Sequence, residues 1–363
     1  MELYIFEKDL NLKGIVDNFI SLIWIRRFYK PGEFQLVVPG TIDNFKLLTE
    51  GSIIYKKGSK EAGYIITRQI DKRSTGEEVL TVKGKFVTNY INKRINWGRI
   101  NFKGTVENLM RKLVNDNCVN PIDSNRKIPD LILGNLNGFT EKVEYQNSFG
   151  ALDVEIEALA TSNELGYSID FDYKAKRLIF NIYKGVDRSI NQSQVAPCIF
   201  SREFENILSQ NLFESSQYFK NTCLIGGEGD GIDRIMVDYG SSVGLDRNEL
   251  FVDARDLQRD IDGNQLGLDE YKEILLNRGN EKLSEHKKII TFESTVSSSN
   301  NNKYKEDYDL GDIVTVVDKI WGVKIDTRIT EVEEVYEDDG ININPTFGDS
   351  IPTLIDKINR ERR

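Results

Sequence analysis

Short apolar runs alternating with polar positions, broken by Gly, Pro and Lys-Gly turns, fill the first hundred residues. Period-two alternation predicts strands over residues 3–6, 20–28, 34–38, 52–55, 64–70 and 79–82. The turns fall at Pro31-Gly32, Pro39-Gly40, Lys57-Gly58 and Thr75-Gly76. Several short strands at this spacing suit a small barrel or sandwich. Residues 89–95 lead out through Lys93-Arg94, expected to be a solvated loop.

The period then changes. Val106, Leu109, Met110, Leu113 and Val114 share one face of a helix over 104–117, with Thr105 as its cap. Residues 120–138, with Pro121 and Pro129, are expected to be loop. A second helix is predicted over 149–164, with Ser148 as N-cap, Gly166 as C-terminal stop, and Leu152, Ile156, Leu159 and Ala160 as its buried stripe. A hairpin follows: Tyr167, Ile169, Phe171 and Tyr173 alternate, Lys174-Ala175-Lys176 turns, and Leu178, Phe180 and Ile182 alternate back. The β pattern returns over 199–225. Residues 226–245 are rich in Gly and Asp around a short strand at 235–237. Phe251-Val252-Asp253-Ala254-Arg255 precedes a loop at Asp262-Gly263. Helices are expected over 269–278 and 281–288, broken by Gly279, then a Ser/Asn-rich loop over 294–302. Residues 351–363 suggest a short charged helix.

The order of parts occurs twice. Gly51-Ser52-Ile53-Ile54-Tyr55 resembles Gly311-Asp312-Ile313-Val314-Thr315, and Ile66-Thr67-Arg68-Gln69-Ile70 resembles the stretch from Thr327 to Val332. Strand 79–82 before Gly84 parallels 341–343 before Gly348, and the turn at Thr75-Gly76 parallels Asp339-Gly340. Upstream, Asp17-Asn18-Phe19-Ile20-Ser21 resembles Glu205-Asn206-Ile207-Leu208-Ser209. A strand ending on Gly follows each, 34–38 and 222–225. This points to two copies of one small β-domain, the second interrupted by a long insertion.

Composition changes this picture little. The 363 residues allow two or three domains with ordinary cores, at 39% hydrophobic and 29% charged. No apolar run approaches the ~20 residues of a membrane helix, so no membrane insertion is expected. The acidic N-terminus starts at once with a strand pattern and lacks the form of a secretory signal, so synthesis and folding in a cytoplasm are expected. The net charge of −10 argues against a nucleic-acid-binding surface.

Candidate chemistry is sparse. Cys118, Cys198 and Cys223 are isolated, without metal or disulfide spacing, which favours packing roles. Gly226-Gly227-Glu228-Gly229-Asp230-Gly231 is Gly-rich, but Glu228 and Asp230 would repel phosphate and no Gly-Lys-Ser/Thr follows, so a mobile hairpin loop is expected. The single His286 rules out a His-rich zinc site, and a surface or capping role is expected. Glu144 beside Tyr145, and Asp170 and Asp172 beside Tyr173, are the acidic candidates for glycosidase chemistry; alternation with apolar residues favours a solvent face. The acidic run Glu333-Glu334 to Glu337-Asp338-Asp339 lacks EF-hand spacing and is expected to be a solvated face. Trp24, Trp97 and Trp321 are expected in core or interface packing. No residue is assigned a catalytic, cofactor-binding or metal role, and no cofactor is implied.

One resemblance organises these parts. It is carried by Gly185-Val186-Asp187-Arg188-Ser189, Phe200-Ser201-Arg202-Glu203-Phe204-Glu205-Asn206, Asn221-Thr222-Cys223-Leu224-Ile225-Gly226-Gly227, the run from Gly244 to Arg255, and Tyr308-Asp309-Leu310-Gly311-Asp312-Ile313-Val314. In these the chain resembles the baseplate-hub or tail-tip proteins of tailed phages and phage-tail-like bacteriocins, often labelled siphovirus tail proteins. The resemblance implies a β-dominated α+β fold: two related small β-barrel, tube-like domains plus an inserted α+β domain. Residues 1–103 would be the first barrel, 201–234 and 303–350 the second, 104–200 and 235–302 the insertion, and 351–363 a tail. It further implies a homotrimer whose six barrels form a pseudo-sixfold ring. That ring would join the hexameric tail tube to the trimeric spike or tip, contact other baseplate proteins, and surround tape-measure protein or DNA. Because the chain ends just after the second barrel, a non-enzymatic hub without a lysin domain is expected, assembled in the host cytoplasm and located in the virion tail. A lumen kept acidic by the negative charge would not hold DNA. The alternatives are a cell-wall hydrolase at the tail tip and a module that binds a host glycan receptor.

Overall fold

Alternation through the first strands resolves into two faces of one sheet. In chain order the elements are β1 (Leu3–Phe6), β2 (Leu12–Val16), β3 (Ser21–Arg27), β4 (Glu33–Pro39), α1 (Ile42–Leu47), β5 (Ile53–Lys56), β6 (Ala62–Lys72) and β7 (Glu78–Phe86). There follow β8 (Arg99–Thr105), α2 (Val106–Val114), β9 (Leu131–Leu133), β10 (Lys142–Ser148), α3 (Leu152–Ser162), β11 (Gly166–Asp172) and β12 (Arg177–Tyr183). Next come β13 (Ile199–Ser201), β14 (Ile207–Ser215), β15 (Thr222–Gly226), β16 (Met236–Tyr239), β17 (Glu249–Asp253), β18 (Asp260–Ile261), β19 (Asn264–Gln265) and α4 (Leu268–Ser284). The chain closes with β20 (Ile289–Val296), β21 (Ile313–Asp318), β22 (Val323–Glu337) and β23 (Gly340–Gly348). These come from a computed structural model, which describes residues 1–348 other than 73, 75, 262–263, 297–301 and 339. The expected helix at 351–363 and the turn residues Thr75, Asp262-Gly263 and Asp339 lie outside the described residues.

Thirteen strands share one sheet, in the order β14-β20-β23-β22-β3-β4-β7-β6-β5-β1-β2, with β21 on β22 and β13 on β21. The fold is β-dominated, as expected. Closed barrels are not formed among the described residues: the path is open and continuous, because β22 spends its edge pairing with β3. Glu331 faces Arg27 and Tyr336 faces Leu22 across that joint.

The path contains one strand order twice, β1-β5-β6-β7-β4-β3 and β13-β21-β22-β23-β20-β14. The outermost pair differs, since β1 is antiparallel to β5 and β13 is parallel to β21. Register makes the match residue by residue. Gly51 N–H donates to Ile65 O and Gly311 N–H to Ile329 O, both at 2.8 Å. A bulge follows each, between Ile65 and Thr67 and between Ile329 and Glu331. Thr67 therefore corresponds to Glu331, four residues beyond the position that the similarity of Thr67-Arg68 to Thr327-Arg328 suggests. Trp24 faces Phe34 and Leu212 faces Phe292, which aligns Ser21 with Ser209 as the upstream echo requires. The counterpart of β4 is β20, not 222–225: β15 pairs with β16 and β17 in a separate sheet.

Each half fills its own core. Leu3, Ile5, Trp24, Leu36, Ile54 and Val82 pack inside the first. Phe200, Phe292, Val314, Ile329 and Phe347 pack inside the second. The outer face of β5 and β6 receives α2, α3 and the β9-β12-β11 sheet. Helix α2 carries the expected buried stripe, and the Thr105 hydroxyl accepts from Asn108 N–H. Helix α3 starts later than expected, at Leu152. Ser148 ends β10 instead of capping it, and the left-handed residue behind the helix is Glu164 (φ 55°), while Gly166 opens β11. β9 lies in the stretch expected to be loop, and Ser294–Val296 belong to β20. Between β14 and β20, α4 covers β15–β17. It is one helix where two were expected. Gly279 does not break it, because glycine is needed there for contact: a Cβ would stand 2.7 Å from the Ile225 side chain.

Gly51 and Gly311 occupy matching positions at φ +78° and +92°. A Cβ on Gly51 would meet the flexible end of Lys8, while one on Gly311 would stand 2.5 Å from the buried Phe28 ring. Gly311→Ala should therefore cost about 2–4 kcal/mol and Gly51→Ala about 1 kcal/mol, read by urea denaturation. Equal losses would show that Phe28 yields.

Candidate functional site

The joint between the two halves carries the densest buried charge. On β5, Ile54 and Lys56 point to the inner face, and Lys56 is 3% exposed. On β22, Val332, Glu334 and Tyr336 point the same way, and Glu334 is 1% exposed. The Lys56 ammonium donates to Glu334 and, at 3.0 Å, to the Tyr336 hydroxyl, which itself donates to Glu334. The Tyr304 hydroxyl donates to the other Glu334 oxygen at 3.3 Å, and Lys305 stands 3.4 Å from it. Lys56 also lies 5.5 Å from the Trp24 ring centroid.

Beside this pair, Arg26 of β3 reaches Tyr304 and Asp309, both at 2.7 Å, and Glu61 at 3.3 Å. On the opposite face Arg27 bonds Glu331 at 2.6 Å and Glu33 at 2.7 Å. Burial alone would raise the Glu334 carboxyl, but Lys56 and Lys305 more than offset it and bring it down to about 2. Burial pulls Lys56 down to about 8 against the pull of Glu334. It pushes Glu61 up to about 7, with Arg26 opposing. The cluster is a buried latch between sequence-distant strands; its geometry binds the halves together.

Glu334 corrects the expectation of a solvated acidic run: Glu333 bonds Asn344, but Glu334 lies in the core. The signal was present, since Val332, Glu334 and Tyr336 alternate onto one face. Lys93-Arg94 is also no simple solvated loop. Val87–Lys93 is a 3-10 helix, Lys93 stands 4.4 Å over the Tyr90 ring, and Arg94 donates to Arg126 O at 2.6 Å.

The other candidates lie apart. Gly226-Gly227 lead from β15 towards β16, where Arg234 donates to both carbonyls and Glu228 N–H donates to Tyr271 at 2.7 Å. His286 follows the end of α4, its Nδ1 3.2 Å from Tyr218 O. The three cysteines are buried and unbridged, and burial raises their thiols to about 12, 12 and 11. Glu144 pairs with Lys103, Asp170 with Ser168 and Asn181, and Asp172 accepts from the turn amides of Lys174 and Ala175. Trp24 is fully buried; Trp97 and Trp321 are 58% and 45% exposed. Trp97 borders a cleft of about 690 Å³ and is covered on one face by Arg126 at 4.4 Å. Between α3 and α4, Glu155 is 4% exposed and neither carboxylate oxygen has a partner among the described residues. Burial, reinforced by Glu281 and opposed by Arg278, lifts it to about 7. Among the described residues, no helix is long and apolar enough to cross a membrane.

Over residues 2–349 the chain matches the family described as Siphovirus ReqiPepy6 Gp37-like protein. Its fold is similar to the tail protein from Neisseria meningitidis MC58, at 13% identity and a TM-score of 0.58, covering 96% of both chains. It is similar to the 43 kDa tail protein of prophage MuSo2 from Shewanella oneidensis, at 12% and 0.57, covering 96% of this chain and 98% of that one. The prophage tail protein gp18 from Listeria monocytogenes EGD-e gives 12% and 0.57, covering 100% and 98%. No curated protein matches the sequence.

Glu334→Leu alone strands Lys56 and should cost about 3–5 kcal/mol, most of it recovered by adding Lys56→Met; denaturation of both variants beside the unchanged protein checks this. The Glu334 carboxyl is lower folded than unfolded, so its contribution is whole above about pH 4.5 and is lost as pH falls towards about 2. Glu155 has the opposite sign. Its folded value of about 7 exceeds the unfolded one, so it stabilises least above pH 7. Glu155→Gln should gain on the order of 1–3 kcal/mol at pH 8 and little at pH 5, measured as melting temperature at both values. A gain independent of pH would reject the buried carboxyl as its cause.

Proposed function

Because the chain belongs to the Siphovirus ReqiPepy6 Gp37-like family of siphovirus tail proteins, we propose that it is the structural hub of a phage tail or tail-like particle. In this reading three chains form a ring of near-sixfold symmetry that joins the hexameric tail tube to the trimeric spike or tip. The observation that carries it is the doubled strand order with matching bulges after Ile65 and Ile329. Three such chains present six like modules, so one ring offers sixfold symmetry to the tube and threefold symmetry to the tip. Its partners are its own copies, the tube protein, the spike or tip protein and other baseplate proteins, with tape-measure protein or DNA passing through the centre. The role is mechanical, not enzymatic. The net charge of −10 supports a lumen that does not hold DNA.

Cryo-electron microscopy of the parent particle's tail tip tests this. The expected density is a threefold ring at the end of the tube with two like modules per chain. A peripheral position overturns the reading in favour of receptor binding or wall hydrolysis.

A further inference from the structure

The joint inside the chain has an unused twin. β22 pairs along its first half with β21 and along its second half, on the same edge, with β3. β6, the counterpart of β22, pairs along its first half with β5, yet among the described residues no strand meets that edge beyond Tyr64. Among the described residues β14, the counterpart of β3, pairs with β20 alone. One chain therefore carries both parts of the joint a second time, at opposite ends of the repeat. Open edges attract further strands, and the exposed apolar residues here are Ile66 and Ile70 on β6 and Leu208 on β14.

We propose that β6 of one chain pairs antiparallel with β14 of a second copy, head to tail, in the register of the internal joint. This deepens the ring reading and rests on it for the number of copies. The internal register sets Val332 against Arg26, Glu334 against Trp24 and Tyr336 against Leu22. Carried over by the repeat, it sets Arg68 against Glu214, Ile70 against Leu212 and Lys72 against Gln210. All three pairs are complementary. The Arg68 guanidinium donates to Phe45 O at 2.5 Å and lies 4.3 Å over the Phe45 ring, but among the described residues its Nε has no hydrogen-bond partner and it has no acidic neighbour in an ion pair; Glu214 is exposed and makes no ion pair among them either. The Gln210 amide nitrogen donates to Asp318, and its Oε1, without a partner among the described residues, would accept from the Lys72 ammonium. Ile70 is 48% exposed and would be covered by Leu212. Directly opposed Cα atoms of antiparallel strands stand about 4.5–5.5 Å apart, within the range a disulfide spans.

The test is the full chain carrying Ile70→Cys and Leu212→Cys, oxidised at high protein concentration and run on a non-reducing gel. The native cysteines are buried and do not compete. The expected result is covalent multimers, with about tenfold less from the off-register pair Ile70→Cys and Phe213→Cys. Adding Arg68→Glu should reduce the yield about tenfold, and Glu214→Arg on top should restore it. A ladder ending at three chains supports this pairing and the ring together. A ladder that ends elsewhere, or continues, supports the pairing and refutes the threefold ring. Monomer alone, or equal yields from both cysteine pairs, overturns the pairing.

Discussion

The antiparallel pairing of β22 with β3 is the constraint on which the molecule depends. It joins two half-sheets that each have a core of their own, and it does so between residues some three hundred positions apart. Backbone hydrogen bonds alone would leave the register weakly fixed. A slip of one residue would send Glu334 to the opposite face, away from Lys56, and would part Arg27 from Glu331. The buried charges thus add less to net stability than to the uniqueness of the joint. Around it, Tyr304, Lys305 and Asp309 from the segment before β21 are drawn in, so that stretch is fixed by the same contacts.

Much of this was legible from the chain. Strands with clear alternation, such as β3, β4 and β7, were placed to within a few residues, and so was α2 with its Thr105 cap. β2 was missed because Lys13 and Gly14 interrupt its apolar pattern, and because it lies at the rim of the sheet with little to bury. β9 is three residues long, too short for any period to show. A glycine in a helix usually costs stability, so Gly279 reads as a stop in sequence; its close approach to Ile225 appears only once β15 lies beneath it. The repeat itself was visible, but its register was not. Side-chain similarity drew Thr67-Arg68 onto Thr327-Arg328, whereas hydrogen bonding and the bulges set Thr67 on Glu331. The latch was least legible. Lys56 and Glu334 are each ordinary polar residues in sequence, and only the pairing of distant strands makes them partners.

The repeat also carries a marked asymmetry. The turn joining β3 to β4 spans five residues, 28–32. Its counterpart between β14 and β20 holds a complete unit of five strands and a helix, with its own core around Cys223, Ile225, Tyr271 and Leu275. The two halves keep one framework and differ in what they display. An insertion of this kind is tolerated because the ends of a hairpin stay close whatever lies between them.

Equivalent positions in the halves hold different residues, and this has a bearing on errors of association. Glu334 corresponds to Ile70, and Lys56 corresponds to Val316. Were β22 of one molecule to engage β14 of another, Glu334 would be buried against Leu212 with Val316 standing where the lysine belongs. A carboxylate enclosed without a counter-charge makes that arrangement strongly unfavourable. The same glutamate that secures the correct partner therefore proofreads against the look-alike one, a discrimination that a module repeated without divergence would lack.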